Sequence, residues 1–274
     1  MLLSLRDTVN FYGLMADKSL GQNFLLDSNI TDKIVRLSLS HQGLKDFSAY
    51  NMIEVGPGPG GLTRSVLEQN PLSLTVIEMD SRCVRIMEDL KNETDCPMNI
   101  VNGDALAFTP SKNVSSPRQI ISNLPYNISV PLLIKWLEEI KNYSALTLMF
   151  QKEVAERIMA STRCKDYGRV SVLAQLSCKI EKLMDLNPEC FTPAPKIWSS
   201  VLLFRPLDKP ITQEERTKIE KITSLAFGQR RKMLRQSLKS LPDILGKLEQ
   251  LQIAPTARAE ELTPQQFLDL AHLY

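Results

Sequence analysis

The stretch IEVGPGPGGLT, Ile53 to Thr63, decides the fold. An apolar run from Asn51 to Val55 reads as a buried strand, and glycines and prolines break it off before a helical pattern resumes at Leu62. A strand that ends in a glycine-rich turn and feeds a helix is the opening unit of a doubly wound α/β sheet. Gly56, Gly58 and Gly61 satisfy GxGxxG, and Glu78 follows at the end of the next apolar run, where a ribose-binding carboxylate is expected.

Outward from this turn the same rhythm repeats. Short apolar runs lie at 51–55, 74–79, 98–101, 119–124 and 145–150, with segments of helical length between them at 62–69, 81–91 and 130–140. The pattern predicts a mostly parallel sheet covered by helices on both faces, an α/β fold of Rossmann-like type. Two further runs, at 179–186 and 199–204, have only a proline-punctuated loop between them. No crossover helix fits there, so these two are expected to pair antiparallel as a hairpin at one edge, completing seven strands. Beyond RPLDKP at 205–210 the pattern becomes helical, at 212–227, 243–252 and 264–273. The expected division is a ligand-binding domain over 1–207 and a small all-helical domain over 208–274.

Composition narrows the function classes. The 274 residues carry 33 basic and 31 acidic side chains, a formal charge of +2. The chain is no polycation, and a nucleic-acid surface on it must be local. Cys83, Cys96, Cys164, Cys178 and Cys190 are scattered without a CxxC pair, which predicts a reducing compartment and neither zinc ribbon nor disulfide frame. Arg6 and Asp7 interrupt the apolar opening, and no run approaches a membrane span. A soluble, cytoplasmic monomer without membrane contact is expected. His41 and His272 stand isolated, so no metal site is expected.

The prolines of the turn bear on its ligand. A pyrophosphate needs backbone N–H donors, and Pro57 and Pro59 remove two of them. S-adenosyl-L-methionine, which carries no phosphate, loses nothing by this. It requires the close backbone approach that glycine permits and a carboxylate, Glu78, to accept from the ribose hydroxyls. A dinucleotide site and a purely structural glycine turn remain as alternatives. Asp104, in NGDALAF after the third strand, would accept from an adenine amine at the same sheet edge, or else cap a helix.

The fourth strand ends in ISNLPYNIS, Ile121 to Ser129. An adenine amine is a poor nucleophile because its lone pair is delocalised into the ring. The Asn123 side-chain carbonyl and the Leu124 backbone carbonyl, held by Pro125, would accept its two hydrogens and oppose that delocalisation. Tyr126 offers a flat face for the base. An ordinary strand-to-helix turn is the plainer reading of the same residues.

Taken together these residues resemble the ribosomal RNA adenine dimethyltransferases, most of all their bacterial small-subunit branch. The motifs KSLGQNFLLD (18–27), EVGPGPGGLT, VIEMD, NGDAL and NLPYNIS are followed in order by LMFQKEVAERI (148–158), YGRVSVLAQ (167–175) and FTPAPKIWSSV (191–201). The resemblance implies a class I methyltransferase fold and transfer of four methyl groups to two adjacent adenosines in a hairpin near the 3′ end of 16S rRNA, late in assembly of the pre-30S particle. It implies that Asn23, Leu25, Gly56, Glu78, Asp104 and Asn123 contact the cofactor, that Asn123, Leu124, Pro125 and Tyr126 hold the base, and that Phe191 covers its other face. KIWS at 196–199 departs from the Val-Asp pair common before the serine in relatives, so any contact made by that aspartate is in question.

The segment GQRRKMLRQSLK, 228–239, holds Arg230, Arg231, Lys232, Arg235 and Lys239 with no acidic residue. If helical, it would align Arg231, Arg235 and Lys239 along one face, suited to RNA phosphates. A solvated charged face is the bland alternative; the similar QRRK segment of the family favours RNA. Two other functions stay in view: an Erm-type 23S rRNA methyltransferase, and a non-catalytic ribosome-assembly or transcription factor on the same fold.

Overall fold

The structure is a computed structural model that describes residues 4–14 and 22–274. Nine strands occur among these residues: β1 (Phe24–Leu25), β2 (Asn51–Val55), β3 (Ser73–Glu78), β4 (Met98–Asn102), β5 (Arg118–Asn123), β6 (Ala145–Gln151), β7 (Cys178–Leu186), β8 (Phe191–Thr192) and β9 (Ser199–Pro206). Seven form one sheet in the order β4-β3-β2-β5-β6-β9-β7. Pairing is parallel from β4 through β6 and antiparallel between β6 and β9. Arg205 lies against Glu181 at 2.8 Å and Ser200 against Asp185 at 2.6 Å, so β7 and β9 run in opposite directions. This is the mostly parallel seven-stranded sheet with an antiparallel edge that the apolar runs predict. The central strands read as unbroken apolar runs because both faces are covered, as in β6, where only Gln151 escapes full burial.

The chain divides into two compact units. The first comprises residues 1–135, 141–152 and 181–205. It contains a helix absent from the sequence expectations, Ser28–Gln42. Its buried face mixes Ile34, Val35 and Leu39 with Thr31 and Ser38, which blunts the apolar period. The two hydroxyls are satisfied internally, Thr31 by Ser65 and Ser38 by Thr147, each at 2.7 Å. β1 and β8 form a separate antiparallel pair, Phe24 opposite Thr192 and Leu25 opposite Phe191. Strands of two residues carry no readable alternation.

The second unit comprises residues 136–140, 153–180 and 206–274. Helices Arg169–Ser177, Gln213–Gly228 and Pro264–His272 pack together there. Ile219, Ile222, Phe267 and Leu270 are buried at this core, and the Phe227 ring sits 5.6 Å from Phe267 and 5.8 Å from Tyr167. Thr212 with Glu215, and Thr263 with Gln266, form capping boxes that fix two helix starts.

The basic segment 228–239 is not one helix. Helix Gln213–Gly228 ends at its first residue, and only Leu234–Ser237 turns again. Between them Met233 bridges Arg258, while Leu234 and Arg235 donate N–H bonds to Ala257 and Pro255. Backbone pairing with 255–258 therefore replaces the helical ladder, and Arg231, Arg235 and Lys239 share no continuous helix face. No helix among the described residues is long and apolar enough to cross a membrane.

Candidate active site

A crevice opens in the first unit where the sheet changes direction. From β2 the chain passes to β3 on one side, while β5 lies on the other. β2 stays paired with β3 up to Val55 opposite Ile77, but its ladder with β5 stops at Ile53 opposite Ile120. Beyond that point Ser122 bonds the Val55 carbonyl through its hydroxyl, and a cavity of about 250 Å³ lies at the carboxyl ends of the strands. Open α/β sheets bind ligands at such switch points.

The glycine turn forms its floor. Gly58 takes φ 55°, and a Cβ there would stand 2.9 Å from the Phe24 ring. At Gly61 a Cβ would collide with the backbone carbonyl oxygen of Leu25, so this glycine is needed for the packing of β1 against the helix. The amides of the turn are already engaged. Gly56 donates to Ile77 O at 2.9 Å, Gly60 to Pro57 O at 3.0 Å, and Gly58 to Glu78 Oε2 at 3.2 Å. With two prolines between them, residues 56–60 present no open cluster of donors for a pyrophosphate.

Glu78, at the end of β3, accepts on its other oxygen from Met79 and Asp80 at 2.8 and 2.9 Å. Burial raises its pKa, and these three N–H donors pull the other way. The donors fix the carboxyl in place while leaving acceptor capacity toward the cavity. Asp80 next to it caps the helix Ser81–Asn92 and is held at a pKa of about 2, chiefly by its hydrogen bond with Arg82. Gln22, a cavity residue, also donates to Asp80 at 3.0 Å. Asp104 caps no helix: its Oδ1 accepts from Leu106 N at 2.8 Å across a non-helical turn, and the exposed residue lines the cavity. Lys135 secures this rim by donating to the carbonyls of Leu106 and Phe108.

A third carboxyl was missed by the sequence reading. Glu54, inside β2, is 1% exposed and lines the cavity, with Oε2 lacking a hydrogen-bond partner among the described residues. Burial pushes its pKa up to about 8, opposed by a hydrogen bond from Thr63. The signal was present, since a carboxylate within an apolar strand is rare without a role.

The Asn123 turn closes the opposite wall. Its Nδ2 donates to Asn23 O at 3.1 Å, which fixes the amide plane and leaves the side-chain carbonyl as the free acceptor. Pro125 packs 3.5 Å from the Cβ position of Gly56, so the two turns touch. The Tyr126 hydroxyl shares a 2.7 Å hydrogen bond with Ser199. Burial raises its pKa, so it stays a neutral phenol at physiological pH.

Asn23, Leu25, Gly56, Glu78, Asp104 and Asn123 through Tyr126 thus line one cavity. Phe191 does not. It is 3% exposed, paired with Leu25 and packed within the hydrophobic core, and it is not among the residues that line the cavity. In the second unit Arg230 pairs with Glu260 at 3.0 Å and donates to Cys164 O at 3.1 Å, a cross-link within that unit. Arg231, Lys232, Arg235 and Lys239 are exposed.

Three carboxyls and no Lys or Arg among the described residues line this cavity. The acceptor oxygens of Glu78 and Asp104 disfavour a phosphate and suit a ligand rich in hydrogen-bond donors.

Comparison with known proteins agrees with this chemistry. The ribosomal RNA adenine dimethylase family model matches residues 13–274. The ribosomal RNA small subunit methyltransferase A of Wolbachia pipientis subsp. Culex pipiens is 48% identical over 260 residues, 94% of this chain and 96% of that protein. The protein of the same name from Rhodospirillum rubrum is 42% identical over 267 residues, 97% and 91% of the two chains. Among solved structures, a dimethyladenosine transferase from Plasmodium falciparum shares the fold with a TM-score of 0.73 at 24% identity, over 89% of this chain and 94% of the other. The 23S rRNA methyltransferase ErmE does so with a TM-score of 0.68 at 22% identity, over 91% and 98%. The match over nearly the whole sequence, on a fold that gathers the expected residues around one cavity, means that the chain belongs to the ribosomal RNA adenine dimethylase family.

Proposed function

We propose that this protein dimethylates the exocyclic amines of two adjacent adenosines in a hairpin loop near the 3′ end of 16S rRNA, on the pre-30S particle, with S-adenosyl-L-methionine as cofactor. S-adenosyl-L-methionine supplies an electrophilic methyl group carried on a sulfonium. The carboxyl-lined cavity, without Lys or Arg among its described residues, supports this cofactor: Glu78 accepts from ribose hydroxyls, Asp104 from the adenine amine, and Asn23, Leu25, Gly56 and Asn123 complete the walls.

The reading is carried by one observation, the anchoring of Asn123 by Asn23 at the edge of that cavity, beside Tyr126. The Asn123 side-chain carbonyl and the Leu124 backbone carbonyl take the two hydrogens of the target amine and aim its lone pair into the cavity. Pro125 holds the turn rigid. Tyr126 stacks the base, its ring locked by Ser199. No side-chain base is needed, because the nitrogen becomes acidic only as it gains the methyl group, and a neutral Tyr126 phenol does not act as one. Positioning and fixed dipoles supply the rate.

Methyl transfer is assigned to the first unit, and RNA binding to residues 208–274, which form the second unit together with residues 136–140, 153–180 and 206–207; Arg231, Lys232, Arg235 and Lys239 take phosphates, and Arg230 is engaged internally. The protein acts as a cytoplasmic monomer. Incubation with labelled cofactor and immature small subunits lacking the modification should yield dimethyladenosine, read by mass spectrometry of the rRNA. A product without it, or modification of protein-free 23S rRNA instead, refutes the assignment.

A further inference from the structure

Trp198 is 47% exposed and Ile197 38%, at the end of the loop that leads into β9. Neither residue belongs to the cavity, yet Ser199, the next residue, is the one that holds the Tyr126 hydroxyl. The loop is firmly attached: Lys152 donates its backbone N–H to Trp198 O at 2.8 Å, and the Lys152 ammonium lies 5.7 Å from the centre of the indole. Around it Lys152 and Lys182 share a single carboxylate, Asp185, at 3.9 and 3.0 Å, and Lys196 is exposed. Two lysines thus converge on one aspartate close to an exposed aromatic face.

We infer that Trp198 is a stacking platform for a nucleobase flanking the target adenosine, with Lys152, Lys182 and Lys196 drawing the adjoining phosphates. This rests on the RNA-methylating reading above and extends the substrate surface beyond the cavity. An exposed indole with a lysine ammonium over its ring combines the two elements of single-strand recognition, a flat apolar surface and positive charge for the backbone. Its covalent neighbour Ser199 ties it to the catalytic turn, so a base held there would fix the register of the strand entering the cavity.

The protein has two tryptophans, and Trp136 is only 1% exposed, so Trp198 dominates any emission change caused by a surface ligand. Titration with a synthetic RNA hairpin carrying two adjacent loop adenosines should quench this emission and protect it from acrylamide. Trp198→Ala should raise KM for immature small subunits roughly 5- to 100-fold with kcat and cofactor affinity nearly unchanged, and Trp198→Phe should restore most of the loss. RNA binding seen by anisotropy with no change in Trp198 quenching, and an unaltered KM in the alanine variant, overturns the inference while leaving the methylation reading intact. A raised KM on particles without quenching by RNA alone overturns it too, in favour of a protein contact on the particle. If the wild-type protein forms no dimethyladenosine, the methylation reading fails, and the quenching titration still decides whether this loop binds RNA.

Discussion

Glu54 stays protonated to about pH 8 because it is removed from water and one of its oxygens has nothing to accept from among the described residues. Its folded-state pKa lies above the ordinary glutamate value of 4.5, so the folded protein binds more protons than the unfolded chain between the two values. Stability is therefore full below about pH 4.5 on this account and falls as the pH rises toward 8. Glu54→Gln, which keeps the shape and cannot ionise, should flatten that decline in thermal melts recorded from pH 5 to 8; an unchanged slope rules out a protonated Glu54. Glu78 and Tyr126 separate binding from chemistry. Glu78→Ala should weaken S-adenosyl-L-methionine binding about tenfold or more in calorimetry and leave RNA affinity nearly unchanged, since it removes the acceptor proposed for the ribose hydroxyls. Tyr126→Ala should chiefly slow methyl transfer in single-turnover assays, and the opposite pattern would reverse the roles. At this scale the sequence revealed most of the cavity, because strand ends in a doubly wound sheet converge by topology alone. It did not reveal the burial of Phe191, which depends on a β1–β8 pairing too short to leave a pattern.

Close backbone contacts help to hold the elements that build the cavity. Gly61 shows this: an added methyl group meets the Leu25 carbonyl, which cannot yield without moving β1 and the cavity wall it supplies. Gly61→Ala should destabilise by roughly 1–3 kcal/mol in urea unfolding, as overpacking does, and should also lower cofactor affinity. An alanine variant of unchanged midpoint would mean that β1 is free to shift. The same logic explains which elements were legible. Apolar runs such as 51–55 and 145–150 became β2 and β6 because parallel strands buried on both faces need little polar interruption. Helix Ser28–Gln42 hid behind its inward hydroxyls, and the basic segment lost its expected helix to backbone pairing with residues 255–258. In both cases partners distant in sequence outweighed the local pattern.

Across the whole molecule, a formal charge of +2 provides almost no general attraction for RNA, so affinity must come from clustered cations. The exposed group in the second unit, Arg231, Lys232, Arg235 and Lys239, remains after Arg230 is discounted for its pairing with Glu260. It does not depend on a helical stripe: the turn after Gly228, the bridge from Met233 to Arg258 and the short helix Leu234–Ser237 set the course of the segment. Each phosphate neutralised there releases counterions, so the binding constant falls linearly with salt on logarithmic axes, with a slope set by the number of contacts. Replacing Arg231 and Arg235 with alanine should weaken RNA binding at low salt and flatten that slope by roughly 1 unit per lost contact. Because both side chains are exposed, the thermal midpoint should barely move, which separates loss of a phosphate contact from loss of fold. Binding titrations of the wild-type and doubly substituted proteins across a series of salt concentrations measure the difference, and superimposable slopes would remove this segment from the RNA interface.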